Sequence, residues 1–169
     1  QDFAAHVLKT YTNLVLICNA GIMNTPPGVT KNGFEQQIGV NVIGHFLLAK
    51  KLVGVTSRQV WLSSWGHTLK GGPRLDLERI RTFKVDDPCY DGWRAYQQSK
   101  LGNILLSKEF DMRYPHLEAV SLHPGVIYTP LYRDTGIVSA IKLTGSLVSA
   151  LVNGELSQAI PKLASAGAA

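Results

Sequence analysis

Cysteine is scarce: the 169 residues hold two, Cys18 in an apolar run and Cys89 in a turn-rich stretch. Two such positions make no disulfide framework, so a reducing intracellular compartment is the expectation. Unbroken hydrophobic runs are short as well. None reaches the roughly 18 apolar residues of a membrane-crossing helix. The five histidines are scattered, none in a His-Glu-x-x-His arrangement, and no metal is assigned. Internal repeats are absent, and low complexity is confined to the alanine-rich tail. Basic residues outnumber acidic ones, 17 to 12, for a net charge of +5. No basic stripe is interleaved with aromatics, so nucleic acid is excluded as a partner. The excess suits solubility and anionic ligands, with Lys50-Lys51 and Arg79-Ile80-Arg81 on solvated faces.

What is present is apolar enough for a packed core, at 45% hydrophobic residues, and the length suits one domain spanning 1–169. The pattern predicts the end of a helix over 3–11 and a strand over 14–18. A loop through Pro26-Pro27-Gly28 leads to a helix over about 32–53, then a strand over 58–63. A loop from about 65 to 90 precedes a long helix over 92–113 and a strand over 117–122. Apolar positions in 137–152 recur at helical spacing, and a short helix follows from Ser157, with Pro161 tolerable only in its first turn. Leu14-Val15-Leu16-Ile17-Cys18 is apolar throughout, the pattern of a strand buried on both faces of a parallel sheet.

The most telling segment is Tyr96-Gln97-Gln98-Ser99-Lys100. Residues four apart share a helix face, so Tyr96 and Lys100 are neighbours. An adjacent ammonium favours the phenolate, which makes the pair a candidate proton donor and acceptor. Moving a phenol from a pKa of about 10 to about 7 takes roughly 4 kcal/mol of preferential phenolate stabilisation, within reach of one ammonium only in a partly desolvated site. An exposed Tyr/Lys pair would have the same spacing. Other polar and turn-forming residues stand at strand ends: Asn19-Ala20-Gly21, Ser63-Ser64 and His123-Pro124-Gly125. In open α/β sheets, ligands bind beyond those carboxyl ends. Asn41 falls mid-helix, where asparagine is a mediocre helix former. Ser64 suits a hydroxyl aimed at a carbonyl, or a simple cap. His67 is close enough to Ser64 to approach a substrate, although a plain loop histidine is the simpler reading.

Asn19-Ala20-Gly21, Asn41, Ser64, Tyr96, Lys100 and Pro124-Gly125, in this order, resemble the short-chain dehydrogenase/reductase family from about residue 3 to about residue 135. Asn32-Gly33-Phe34-Glu35, Gly39-Val40-Asn41-Val42-Ile43-Gly44-His45-Phe46, Gln98-Ser99-Lys100-Leu101-Gly102-Asn103 and His123-Pro124-Gly125-Val126 are similar to its retinol dehydrogenase-like branch. The 32-residue separation of Ser64 from Tyr96 also suits that branch. Protochlorophyllide reductases share much of the pattern, with Pro130-Leu131-Tyr132-Arg133-Asp134-Thr135 somewhat like theirs. The resemblance implies an α/β fold with a doubly wound, Rossmann-like parallel sheet, of which these residues form mainly the substrate-side half. It implies NAD(P)(H)-dependent interconversion of a carbonyl and an alcohol, with NADP or NAD as cofactor and a small lipophilic substrate. Tyr96 would exchange the hydroxyl proton. Lys100 would lower the phenol pKa and hold the nicotinamide ribose. Ser64 would polarise the carbonyl, and Asn41 would hold a water on a proton relay with the lysine. Asn19, Ala20 and Gly21 would pass the adenosine side. Pro124, Gly125 and Val126 would face the nicotinamide, and Thr129 would bond its carboxamide. The 137–152 helix is either core or a lid over a lipophilic substrate. Peripheral membrane contact and assembly into a homo-oligomer or larger complex both fit the branch.

One family feature is lacking. No Gly-x-x-x-Gly-x-Gly turn precedes Asn19, and three strands and two helices of the family sheet have no counterpart. Without neighbours the 14–18 strand would be an exposed hydrophobic edge. The expectation is that these residues are part of a longer chain. The alternative is a non-catalytic dehydrogenase-like subunit whose partner in a larger assembly covers that edge. The choice between NADP and NAD lies with residues of that half.

Overall fold

A computed structural model of the chain describes residues 3–69, 75–125 and 131. By contact the chain divides into two units, Gln1–Val126 and Ile127–Ala169, and all described residues except Leu131 lie in the first. The helices expected over 137–152 and from Ser157, and the positions Val126 and Thr129, lie outside the described residues.

Three short, β-rich segments form the frame: β1 (Leu14–Cys18), β2 (Thr56–Leu62) and β3 (Glu118–Leu122), in the order β1-β2-β3 and all parallel. Parallel neighbours need crossover connections. The first is α2 (Gln36–Ile38), a π-helical turn (Gly39–Gly44), α3 (His45–Leu52) and a short 3-10 turn (Val53–Val55). The second passes through a 3-10 turn (Trp65–Thr68), α4 (Leu77–Arg81) and α5 (Gly92–Arg113). The N-terminal α1 (Phe3–Thr10) packs beside α3.

Register explains where the core sits. Cys18 pairs with Trp61, and Leu16 with Gln59, which pairs with Ala119. This face meets the helices: Cys18, Trp61 and Ala119 join Ala49, Phe110 and Leu117 in one buried cluster. The Trp61 and Phe110 rings lie 5.6 Å apart, as do Phe110 and Tyr114. Ala4, Val7 and Leu52 make a second cluster against Leu14 and Leu16.

The rows between point the other way. Ile17 aligns with Val60 and Val120, and Leu62 with Leu122. Val15 and Ile17 are 57% and 59% exposed. Among the described residues, β1 is therefore an edge strand covered on one face, not buried on both as its unbroken apolar run suggests. Residues of α1, α3 and α5 cover the other face.

Three further boundaries differ from the sequence pattern. The helix expected from about 32 begins at Gln36. Gly33 takes a φ of 83°, Thr30 N–H donates to the Phe34 carbonyl at 2.8 Å, and Val29 bridges Glu35. A tight turn thus occupies 30–34, and Glu35 caps the helix by accepting from the Gln37 and Ile38 amides at 3.0 and 2.7 Å. The loop expected over 65–90 contains α4, capped by Asp76, which accepts from the Arg79 amide at 3.0 Å. The segment Gln36–Val55, 20 residues of mean hydropathy 1.5, is long and apolar enough to cross a membrane by length and composition, which a count of unbroken apolar runs passes over. Here one side of it packs inward, with Ile38, Val42, Ala49 and Leu52 buried, while Val40, Phe46 and Leu47 stay exposed among the described residues.

Candidate active site

The α5 helix begins at a cap: the Asp91 carboxylate accepts from the Trp93 and Arg94 amides at 2.9 and 3.2 Å. Its phase then directs Tyr96, Ser99, Lys100 and Asn103 inward; each is 5% exposed or less. The exposed-pair reading of Tyr96 and Lys100 is thereby excluded. The Lys100 ammonium sits over the Tyr96 ring, 5.6 Å from its centroid. Lys100 Nζ donates to the Leu62 carbonyl at 2.9 Å, where β2 ends, and Asn103 Nδ2 donates to the same carbonyl at 3.0 Å. Burial lowers the Lys100 pKa from 10.5 to about 8, because desolvation disfavours the ammonium.

Ser64 lies two residues past the end of β2. Its Oγ accepts from the Gly66 amide at 3.0 Å and so caps the Trp65–Thr68 turn. A Cβ placed on Gly66 would lie 3.1 Å from Ser64 Oγ and 3.3 Å from Tyr96 Cε1. The serine hydroxyl and the tyrosine ring therefore flank one glycine and share one small space. His67, by contrast, is tied to its own turn, its Nδ1 donating to the Ser64 carbonyl.

Asn41 lies in the π-helical turn and is fully buried. Its Oδ1 accepts from the Ile22 amide, and its Nδ2 donates to the Ile22 carbonyl and to Ser99 Oγ, all at 2.9 Å. It thus pins the loop after β1 to α5. A Cβ on Gly21 would lie 3.2 Å from Asn41 Oδ1 and 3.7 Å from Lys100 Nζ. Gly21 leaves a hollow beside both groups.

Asn19 and Ala20 are exposed at the end of β1, and Pro124 and Gly125 at the end of β3, where Gly125 has a φ of 86° and, among the described residues, nothing within 4 Å of where a Cβ would stand. Asn41, Ser64, Tyr96, Lys100 and Gly21 are brought together, and the exposed residues rim the same carboxyl edge of the sheet. An open edge lined by backbone and glycine, above a buried cation, fits an anionic, hydroxyl-bearing dinucleotide. No group of three or more potential metal ligands occurs among the described residues.

Sequence reasoning passed over several residues that build this site. Ser63 Oγ donates to the Lys100 carbonyl at 2.8 Å, and Ser99 Oγ to the Tyr96 carbonyl at 2.7 Å. Gln37 is fully buried. Its Oε1 accepts from the Asn24 amide at 2.9 Å, and its Nε2 donates to the Gly92 carbonyl at 2.8 Å and to the Tyr90 hydroxyl at 3.1 Å. For Ser99 and Gln37 the available signal was a polar side chain at a position whose helical phase is inward.

The comparisons with known proteins agree with this geometry. Human retinol dehydrogenase 13 is 39% identical over 145 residues, 81% of this chain and 42% of that protein. The chloroplastic short-chain dehydrogenase TIC 32 A of Brassica napus is 36% identical over 142 residues, 75% of this chain and 43% of that protein. The chain belongs to the short-chain dehydrogenase/reductase family. Within it, this is a retinol dehydrogenase-like member. A crystal structure of an uncharacterized protein from Mycobacterium Paratuberculosis superposes with a TM-score of 0.62 at 36% identity, covering 78% of this chain and 49% of that one. The Rossmann-like sheet of the family is therefore the fold here, and these residues supply part of it. The chain spans less than half the length of the curated relatives it matches. No family model matches.

Proposed function

We propose that these residues belong to an NAD(P)(H)-dependent oxidoreductase that interconverts a carbonyl and an alcohol on a lipophilic substrate. The observation that carries this reading is the buried Lys100 ammonium over the Tyr96 ring, with Ser64 beside that ring, at the open carboxyl edge of a parallel sheet. The retinol dehydrogenase relatives, named for a lipophilic alcohol, support the substrate class.

A bound nicotinamide supplies or takes the hydride. This chain's residues handle the proton and the oxygen. Tyr96 gives its phenolic proton to the substrate oxygen in reduction and takes it back in oxidation. The Ser64 oxygen accepts from the Gly66 amide, so its own O–H is left to donate to the substrate oxygen. Lys100, with a pKa near neutrality, is charged at pH 7 and favours the phenolate. Asn41 holds the loop after β1 against α5 and keeps the lysine's surroundings polar. Gly21 and the exposed Asn19, Ala20, Pro124 and Gly125 admit the dinucleotide along the sheet edge.

The test is Tyr96→Phe in the full-length protein, assayed by NADPH or NADH oxidation with aldehydes of rising chain length. General acid–base catalysis is worth about 10²–10⁴-fold, so kcat falls by at least about 100-fold while the dinucleotide Kd holds. Near wild-type turnover in that variant refutes the assignment. A kcat/KM that does not rise with aldehyde length refutes the lipophilic class alone.

A further inference from the structure

Asn103 has no role in the mechanism so far, yet its fully buried side chain ends on the same atom as that of Lys100. It lies one turn further along the inward face of α5. Lys100 Nζ and Asn103 Nδ2 donate to the Leu62 carbonyl at 2.9 and 3.0 Å. A carbonyl oxygen has two lone pairs, so these two donors fill it. Leu62 is the last residue of β2. The next residue returns the tie, Ser63 Oγ donating to the Lys100 carbonyl at 2.8 Å. After it comes Ser64, which shares with the Tyr96 ring the space around Gly66.

Packing does not explain an asparagine at this place. Asparagine is a mediocre helix former. Its Oδ1 is buried with no hydrogen-bond partner among the described residues, an arrangement that costs stability. Turning the amide over would set Oδ1 against the Leu62 oxygen, acceptor against acceptor, and lose the bond. What the amide adds over an apolar side chain is therefore its bond to Leu62. The Lys100 stem is flexible and its head strongly hydrated, so out of water it needs a fixed acceptor. Leu62 supplies one, and the ammonium held there stands 5.6 Å from the centroid of the Tyr96 ring. We propose that Asn103 is a positioning residue for Lys100, its amide fixing the strand-end carbonyl that anchors the lysine beside Tyr96. This rests on the reading of Tyr96 and Lys100 as the proton-handling pair.

A double-mutant cycle in the full-length protein separates positioning from packing. Asn103→Ala and Asn103→Leu both remove the donor, one with a smaller side chain and one with a larger. Hydride transfer is followed in single turnovers with an aldehyde and NADPH or NADH, enzyme in excess, so that slow variants are still read. Positioning predicts a rate at least about 10-fold below wild type for both variants. In a Lys100→Met background the same substitutions should change the rate by less than about 2-fold, because the residue through which Asn103 acts is gone. A packing role predicts equal losses in the two backgrounds, and that result overturns the inference, as does a rate within about 3-fold of wild type for either single variant. Nitrogen NMR of the lysine amines at about pH 6, where Lys100 is charged, is the second measurement. A slowly exchanging Lys100 signal is expected that shifts and exchanges faster in Asn103→Ala; an unchanged signal overturns the inference whatever the kinetics. If Tyr96→Phe retains turnover, the reading beneath the proposal fails, and the Lys100 signal alone then decides whether Asn103 holds the lysine's anchor.

Discussion

Lys100 makes a sharp thermodynamic demand. Burial depresses its pKa from 10.5 to about 8. Below pH 8 both the folded and the unfolded chain carry the ammonium, and the folded chain bears the full cost of desolvating it. Between pH 8 and 10.5 the unfolded chain keeps the proton and the folded chain releases it, so stability rises with pH. Above 10.5 both are neutral and the cost is gone. At 1.36 kcal/mol per pH unit the depression amounts to about 3 kcal/mol. Lys100→Met removes the titrating group while keeping an unbranched apolar side chain of similar length. The stability of Lys100→Met minus that of wild type should therefore fall by about 3 kcal/mol between pH 7 and 10.5. Tyr90 and Cys18, each pushed up to about 12 by burial, are present in both proteins and cancel in this difference. Urea unfolding followed by tryptophan fluorescence reads it, since Trp61 is fully buried in the core. A difference that moves by less than about 1 kcal/mol over that range would show that water reaches the amine and that the site does not hold a desolvated cation.

Two substitutions test the frame that holds the site. Phe110 is 3% exposed and packs on both Trp61 and Tyr114, so Phe110→Ala should cost about 3–5 kcal/mol in urea unfolding; a loss below about 1 kcal/mol would mean that this cluster is not the core. Gly92 opens α5, and a Cβ there would lie 2.9 Å from the Thr25 carbonyl and 2.8 Å from Asn24 Oδ1. Gly92→Ala should therefore destabilise by about 1–3 kcal/mol and lower kcat by displacing the helix that carries Tyr96, and an unchanged melting temperature would contradict that packing.

Much of the site could be read from the chain because its parts are local. Tyr96 and Lys100 share a face through a spacing of four on a helix whose start, Asp91, is a capping residue. The strand ends at Cys18, Leu62 and Leu122 announce themselves by the small and turn-forming residues that follow. The family resemblance carried by these motifs agrees with the relatives found. Illegible were features set by contacts distant in sequence. The 14–18 run looks buried on both faces because all five residues are apolar, yet only neighbours decide which faces are covered, and Val15 and Ile17 lie open among the described residues. The start of α2 moved to Gln36 because Gly33 and the Val29–Glu35 bridge hold a turn that propensity does not foresee.

The amino-acid sequence by itself determined the order β1, α3, β2, α5, β3 and the placing of Tyr96 and Lys100 on one face of α5, since each follows from periodicity and turn chemistry within a few residues; the other candidate site residues came from the order of the motifs and the resemblance they carry. Only the tertiary structure decided what those residues are physically. Lys100 meets the Leu62 carbonyl across 38 residues of chain, Asn41 meets Ser99 across 58, and the π-turn presents a peptide carbonyl to His45. Whether an amine is an exposed charge or a desolvated cation near neutrality depends on what surrounds it, and no local pattern specifies those surroundings.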